Sequence, residues 1–347
     1  MPELPEVETV ARDLARMVVG RRIVSARVLR ERNLATPDPS TFTRAIAGRE
    51  IRRVRRRAKW IIVELEGGLA LLVHLRMTGQ LLVLPVSAPL DPYVRVALSL
   101  GDGTELRFRD VRAFGRLALV ACGDDGTPSS SLDPSDPPLL GDHGPEPLEP
   151  SFTPTRLGAI LAGRPGRLKG TLLDQRCIAG LGNIYADESL WRARLHPLAS
   201  GAALRRDEVE RLHTAIVGVL SEAVEARGAS IDDYTGPDGD GWMQERLAVY
   251  QRQGEPCLAC GAIIRRFVVG GRATHLCTTC QPLPRGARRA RGELPRGVAS
   301  SSGGARRGSR WSERVHVATV GATVAERAAA RRRAARGGGA ESAGSGR

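Results

Sequence analysis

Apolar residues recur along this chain at two different periods, and the changes of period divide it into regions. Val7, Val10, Leu14 and Met17 or Val18 keep the helical spacing, and Gly20 supplies a stop. Pro5 suits the first position of that helix, where a missing N–H costs nothing, and Glu6 and Glu8 complement the dipole of its first turn. From Arg22 the alternation shortens to two residues. RIVSARVLR, EIRRVRRRAKWIIVELEGG, LALLVHLRMTG, QLLVLP, YVRVALSLGDGTELRFRD and RLALVAC read as strands separated by glycine-containing turns. They predict an antiparallel β-sandwich or flattened barrel over residues 1–140, led by an N-terminal helix. SSSLDPSDPPLLGDHGPEPLEP is rich in Pro, Asp and Ser, and its end, 141–152, is read as a linker.

The helical period returns in RLGAILAG, CIAGLGNIYADESLWRARL and RRDEVERLHTAIVGVLSEAVEARG, which assigns residues 153–250 to a helical domain. A Gly- and Asp-rich loop interrupts it between Ser230 and Trp242. Residues 251–281 form a compact cysteine module, in which RRFVVGGRATHL alternates like a hairpin turning at Gly270-Gly271. Residues 282–347 carry runs of Gly, Ser and Arg with too little apolar material for a core, and are expected to be a disordered basic tail. The fold class is α+β, with no internal repeat.

The 347 residues leave room for two domains and an appendage. The formal charge of +14 points to an acidic polymer as partner. That charge is concentrated: Gln281–Arg347 hold 15 Arg against 4 Glu, a net +11, which leaves +3 for residues 1–280. The acidic N-terminus has no apolar signal region, and no apolar run approaches a membrane-spanning length, so a cytoplasmic protein is expected. Six cysteines in such a chain fit a reducing compartment, with Cys122 and Cys177 expected as buried thiols. Only Lys59 and Lys169 are lysine among the 52 Lys plus Arg. An ammonium can release a proton and a guanidinium effectively cannot, so these two mark positions where arginine does not serve, or else have survived by chance.

Cys257, Cys260, Cys277 and Cys280 have the spacing C-x2-C-x16-C-x2-C, which favours a tetrahedral, closed, structural zinc site over a pair of disulfides. A zinc-pinned hairpin tipped with Arg265, Arg266 and Arg272 suits a DNA groove; alternatively it merely caps the fold. At the other end, MPELPEVETV raises a separate possibility. Removal of Met1 before a small residue leaves Pro2 as a free secondary amine, which titrates near about 8 rather than the about 10.4 of lysine. A secondary amine attacking a sugar C1′ yields a cationic iminium, an electron sink for later eliminations, and Glu3 is placed to protonate the ring oxygen. A proline-started helix explains Pro5, Glu6 and Glu8, but leaves Pro2 and Glu3 without a purpose.

PELPEVET resembles the N-terminal signature of the bacterial formamidopyrimidine-DNA glycosylases, bifunctional enzymes that remove oxidised purines such as 8-oxoguanine. RRAKW, HLRMTG, RDVRAFG, GDHGPEPLEP, GLGNIYADESLW and VYQRQGEPCLACG…GRATHLCTTCQ continue the resemblance in order over residues 1–281. It implies a helix–two-turns–helix domain, one structural zinc ion, and double-stranded DNA with oxidised bases as the partner of a monomeric, nucleoid-associated enzyme. It further implies Pro2 as Schiff-base nucleophile, Glu3 as proton donor, Glu6 as an orienting residue, Lys59 as a second acid and Arg272 as a phosphate and δ-elimination residue. Met77, Arg112 and Phe114 match the residues that fill the space of a flipped base; a lone Met and Phe on strands are otherwise core residues. His74, Arg164, Lys169 and Asn183 match phosphate contacts, Arg164 as a stand-in. Ala113 departs from the family's usual second arginine, nothing transfers to Asp91, and the tail beyond Gln281 has no counterpart. The rival readings are an endonuclease VIII-like paralogue for oxidised pyrimidines, disfavoured by PELPEVET and the loop near Tyr234–Trp242, and a catalytically silent zinc-finger DNA-binding protein.

Overall fold

The N-terminal stripe forms helix α1 (Leu4–Val18) in the computed structural model of the protein, which describes residues 1–123, 125–133, 138–230 and 241–284. Glu3 stands at its N-cap, and the Glu3 backbone N–H donates to Glu6 Oε2 at 2.8 Å. Leu4 packs into the core of the helical region, whereas Val7, Val10, Leu14 and Val18 pack into the core of the sandwich. The helix therefore bridges two cores, and its first turn is held at their boundary.

The sandwich is built from β1 (Ile23–Val28), β2 (Leu34–Thr36), β3 (Ile51–Arg57), β4 (Trp60–Leu65), β5 (Leu69–His74), β6 (Gly79–Pro85), β7 (Val94–Leu100), β8 (Thr104–Asp110) and β9 (Arg116–Ala121). One sheet runs β1-β7-β8-β6 and the other β2-β9-β5-β4-β3; pairing is antiparallel except for the short β2–β9 contact, which is parallel. Helix α2 (Pro39–Ile46) was not visible in the strand pattern. Its signal lies in its start: Asp38 Oδ1 accepts the N–H groups of Ser40 at 3.0 Å and Thr41 at 3.1 Å, and Pro39 opens the first turn. Phe42 and Ile46 anchor it in the sandwich core.

Two crossovers pass between the sheets at one end of the sandwich. Residues 75–78 lead from β5 to β6, and residues 111–115 lead from β8 to β9. Register places them side by side, because His74 pairs with Arg116 and Gly79 with Asp110. Glycine is required where they turn: a Cβ on Gly79 would meet the Leu75 carbonyl oxygen at 2.4 Å, and one on Gly115 would meet Phe108 Cζ at 2.4 Å. The stretch read as a linker is packed rather than free. Leu140 covers Ile62, Leu72 and Val120 on the outer face of the five-stranded sheet, and Glu146 is bound by β3 arginines.

The helical region comprises α3 (Pro154–Ala162), α4 (Leu168–Leu173), α5 (Asn183–Arg192) and α6 (Arg206–Glu225). The CIAGLGN stretch read as helix is instead a pair of turns, and α5 starts only at Asn183. Gly180 adopts φ 79° there, and a Cβ on it would lie 2.7 Å from the Leu4 Cβ. Strands β10 (Arg265–Val269) and β11 (Arg272–Leu276) form the expected hairpin, with Gly270 at φ 56° and Gly271 at φ 74° in its two-residue turn. Val249, Cys257, Ile264 and Cys277 make a small core under it, flanked by Trp191.

The described residues belong to a compact unit, Met1–Pro295. Residues 231–240, most of the loop expected to discriminate purines, and residues 285–347, nearly all of the expected disordered tail, lie outside the described residues. Among the described residues no helix is long and apolar enough to cross a membrane. Cys177 is buried as expected, and Cys122 is half-buried.

Candidate active site and zinc finger

The start of α1, the turn before α5 and the β3–β4 turn meet around Pro2. Pro2 is buried, and Glu3 beside it is 3 % exposed. Glu3 Oε1 accepts the Ile184 N–H at 2.9 Å and Oε2 the Tyr185 N–H at 3.4 Å, so its carboxyl lies over the N-terminus of α5. The approach depends on Gly182, where a Cβ would sit 2.3 Å from Glu3 Cδ. Burial pushes the Glu3 carboxyl up to about 7; Lys59 opposes this and the Glu6 charge adds to it. Glu6 is equally enclosed. Besides the Glu3 N–H, it accepts the Ala229 N–H at 2.8 Å and the Tyr185 hydroxyl.

Lys59 follows Ala58, which takes φ 52° in the β3–β4 turn. Glu146 fixes that turn by accepting the Ala58 N–H at 2.6 Å while pairing with Arg56 at 2.6 Å and Arg57 at 2.8 Å. Lys59 is 6 % exposed. Burial holds its ammonium below the usual lysine range, opposed by Glu3 and Glu6 and reinforced by Arg272 and Arg76. Arg272, exposed on the finger hairpin, thus reaches the field of Lys59. A carboxyl raised by burial and an ammonium lowered by it, each within the other's field, are suited to moving protons.

The other expected contacts separate into groups. Met77 and Phe114 are 41 % and 42 % exposed on the two crossovers, which excludes the core alternative for both. Arg112 lies between them in sequence, its guanidinium 4.9 Å from the Phe114 ring centre. His74 is buried, with burial first and then Arg76, Lys59 and His143 lowering it to about 3. It is a neutral imidazole whose Nδ1 accepts the Arg76 N–H at 3.1 Å, leaving Nε2–H as a donor. Asn183 uses its amide nitrogen to donate to the Ala273 carbonyl at 2.9 Å. Arg164 is an exposed cation 3.4 Å from Asp174.

Lys169 requires a correction. Its side chain is fully buried, with the ammonium enclosed by Asp187 Oδ1 at 2.7 Å (an ion pair), the Ala273 carbonyl at 2.9 Å and Thr274 Oγ1 at 2.8 Å. No N–H remains to meet a phosphate. Lys169 instead clamps the finger hairpin onto the helical region, and Asp187 completes the clamp by accepting the His275 N–H at 2.8 Å. Asp187, Tyr185, Thr78, Asp110 and Glu146 were not singled out from the sequence. Each lies inside a quoted motif, but only tertiary contacts reveal its partner.

The four finger cysteines bring their sulfurs within 4.8 Å of one another, with Cys260–Cys277 at 3.4 Å and Cys257–Cys280 at 3.9 Å. These separations are far too long for disulfides and bracket the about 3.8 Å edge of a tetrahedron with zinc–sulfur bonds of about 2.3 Å. The cluster therefore fits one structural zinc ion. Trp191 Nε1 donates to Cys257 Sγ at 3.4 Å, tying the finger sulfur to α5.

The formamidopyrimidine-DNA glycosylase N-terminal domain family matches residues 1–117, the corresponding H2TH domain matches 143–235, and the zinc finger found in FPG and IleRS matches 254–283. A formamidopyrimidine-DNA glycosylase of Symbiobacterium thermophilum is 46% identical over 287 residues, covering 82% of this chain and 91% of the relative. One of Chloroflexus aurantiacus is 46% identical over 282 residues, covering 81% and 98%. Among solved structures, a Lactococcus lactis FPG mutant in complex with Fapy-dG-containing DNA aligns with a TM-score of 0.74 at 33% identity, covering 81% of this chain and all of that one. The MutM (FPG) protein of Thermus thermophilus aligns with a TM-score of 0.70 at 42% identity, covering 81% and 98%.

Proposed function

Because the chain belongs to the formamidopyrimidine-DNA glycosylase family, a family of DNA glycosylases with abasic-site lyase activity, we propose that it excises oxidised purines through a Schiff base on Pro2. With Met1 removed, the Pro2 nitrogen attacks C1′ of the damaged nucleoside and the C1′–base bond breaks. Glu3 gives its proton to the ring oxygen O4′, which opens the sugar and leaves an iminium at C1′. Loss of the C2′ proton with the 3′ phosphate, and then of the C4′ proton with the 5′ phosphate, gives β,δ-elimination, and water releases the sugar remnant from Pro2. Lys59 serves as second acid for the departing base and in the elimination, Arg272 holds the phosphate, and Glu6 orients the start of α1. Neutral His74 donates from Nε2 to a phosphate, joined by Asn183 and Arg164. Met77, Arg112 and Phe114 fill the space of the extruded base.

The observation that carries this reading is the dry cluster at Pro2: Glu3 raised to about 7 beside a lowered Lys59, under Arg272. The domains divide the work, with residues 1–140 catalytic, 141–152 linking, 153–250 and the finger 251–281 gripping DNA, and the basic tail 282–347 adding charge. A monomer working on the bacterial nucleoid in the cytoplasm fits a substrate that is a single duplex. Members of the family named for formamidopyrimidines, rather than for oxidised pyrimidines, are the relatives described above, so the endonuclease VIII-like reading is set aside. Borohydride reduction on 8-oxoguanine duplex tests the chemistry: a covalent adduct at Pro2 is expected from protein whose intact mass lacks Met1. Trimmed protein that binds the lesion and yields no adduct overturns the Schiff-base route.

A further inference from the structure

The two crossovers that expose Met77 and Phe114 are joined underneath by a single buried carboxyl. Asp110 ends β8 and is fully buried; Thr78 precedes β6 and is 8 % exposed. Asp110 Oδ1 accepts the Thr78 hydroxyl at 2.5 Å, and Asp110 Oδ2 accepts the Gly115 N–H at 2.7 Å. The Thr78 oxygen in turn accepts the Arg112 N–H at 3.1 Å. The backbone of Asp110 adds to this: its carbonyl accepts Arg95 Nε at 2.8 Å and the Ala113 N–H at 3.3 Å. The end of 111–115 and the end of 75–78 thus meet at the Asp110 carboxyl, and Thr78 carries the contact on to Arg112.

These crossovers come from opposite sheets, and the Thr78–Asp110 and Arg112–Thr78 bonds link residues 76–78 to 111–114 directly. A side chain pushed into a base stack meets resistance from the DNA, and a loop that yields cannot unstack it. We infer that Thr78 and Asp110 are positioning residues that lock Met77 to Arg112 and Phe114, so the three enter the duplex as one rigid body. The inference rests on the reading that these three residues fill the vacated base position. Neither Thr78 nor Asp110 touches the sugar chemistry around Pro2. Their loss is felt where a base must be extruded, and little where the base is already gone.

The test uses full-length, zinc-loaded protein and four variants: Thr78→Val, Thr78→Ser, Asp110→Asn and Met77→Ala. Single-turnover excision of 8-oxoguanine is compared with cleavage at a preformed abasic site in the same duplex. A 2-aminopurine beside the lesion reports unstacking. Thr78→Val and Asp110→Asn are expected to slow excision about tenfold and reduce the fluorescence rise, with abasic-site cleavage and Tm close to those of the parent. Thr78→Ser, which keeps the hydroxyl, restores excision. Met77→Ala separates the two levels of the argument. If it impairs excision and unstacking while Thr78→Val and Asp110→Asn leave both intact, the coupling is refuted and the wedge reading stands. If Met77→Ala has no effect, the wedge reading fails and this inference with it. Equal loss of both activities in Thr78→Val, without rescue by serine, marks a merely structural role and also overturns the proposal.

Discussion

Glu3 and Lys59 owe their chemistry to what surrounds them rather than to what they are. Burial is the largest influence on each, and it drives the carboxyl up to about 7 and the ammonium below the usual lysine range. The sign for catalysis follows. Glu3 acts as an acid only while protonated, so single-turnover excision is expected to fall about tenfold per pH unit above about 7. Glu6 contributes to that elevation as a like charge. Glu6→Gln, which retains an acceptor for the Glu3 N–H, therefore moves the alkaline limb to lower pH; an unmoved limb in a pH–rate profile refutes Glu3 as its source. The same shift has a stability consequence. A carboxyl raised from 4.5 to about 7 contributes stability that is fully present below 4.5 and is lost as pH rises through about 7. The residue types at this site were readable from PELPEVET and RRAKW, but their proton affinities were not, because those depend on water excluded by residues more than a hundred positions away.

At the scale of elements, the finger hairpin is an attachment whose hold on the body is concentrated in a few buried polar groups. Lys169 of α4, Asn183 and Asp187 of α5 and the β11 backbone of Ala273–His275 form one network. Arg272 stands at its edge. Removing one member of a buried ion pair leaves the other uncompensated, so Lys169→Ala is expected to cost about 3–5 kcal/mol in urea denaturation. Hydrogen exchange should rise at the amides of Thr274–Leu276 before the sandwich strands open. A variant with parental stability and unchanged protection would show that zinc and the small finger core hold the hairpin alone. The helix α2 and the turn at CIAGLGN show where period reading fails at this scale. Apolar spacing cannot register a cap such as Asp38, nor glycines such as Gly180 and Gly182, where Leu4 and Glu3 leave no room for a Cβ.

For the whole molecule, the distribution of charge and the meeting of two cores matter most. The +11 carried beyond Gln281 has no counterpart in relatives that match 81–82% of this chain over nearly their full length. Ending the chain after Pro284 is expected to weaken binding to undamaged duplex and flatten the dependence of log Kd on log salt, with excision at saturating protein unchanged. An unaltered slope in a salt titration would mean that the tail makes no phosphate contacts. Local pattern by itself determined the first helix, most of the sandwich strands, the finger hairpin, the zinc-ligand set, and the residue types for an amine-based attack on a sugar. These are legible because periodicity, turn chemistry and ligand spacing act over a few residues. The tertiary structure alone decided that Lys169 is a clamp rather than a phosphate contact, that Met77 and Phe114 project outward over a shared carboxyl, and that Glu146 shapes the turn bearing Lys59. Burial and partner choice are properties of a packed neighbourhood, and no short stretch of chain contains its own neighbourhood.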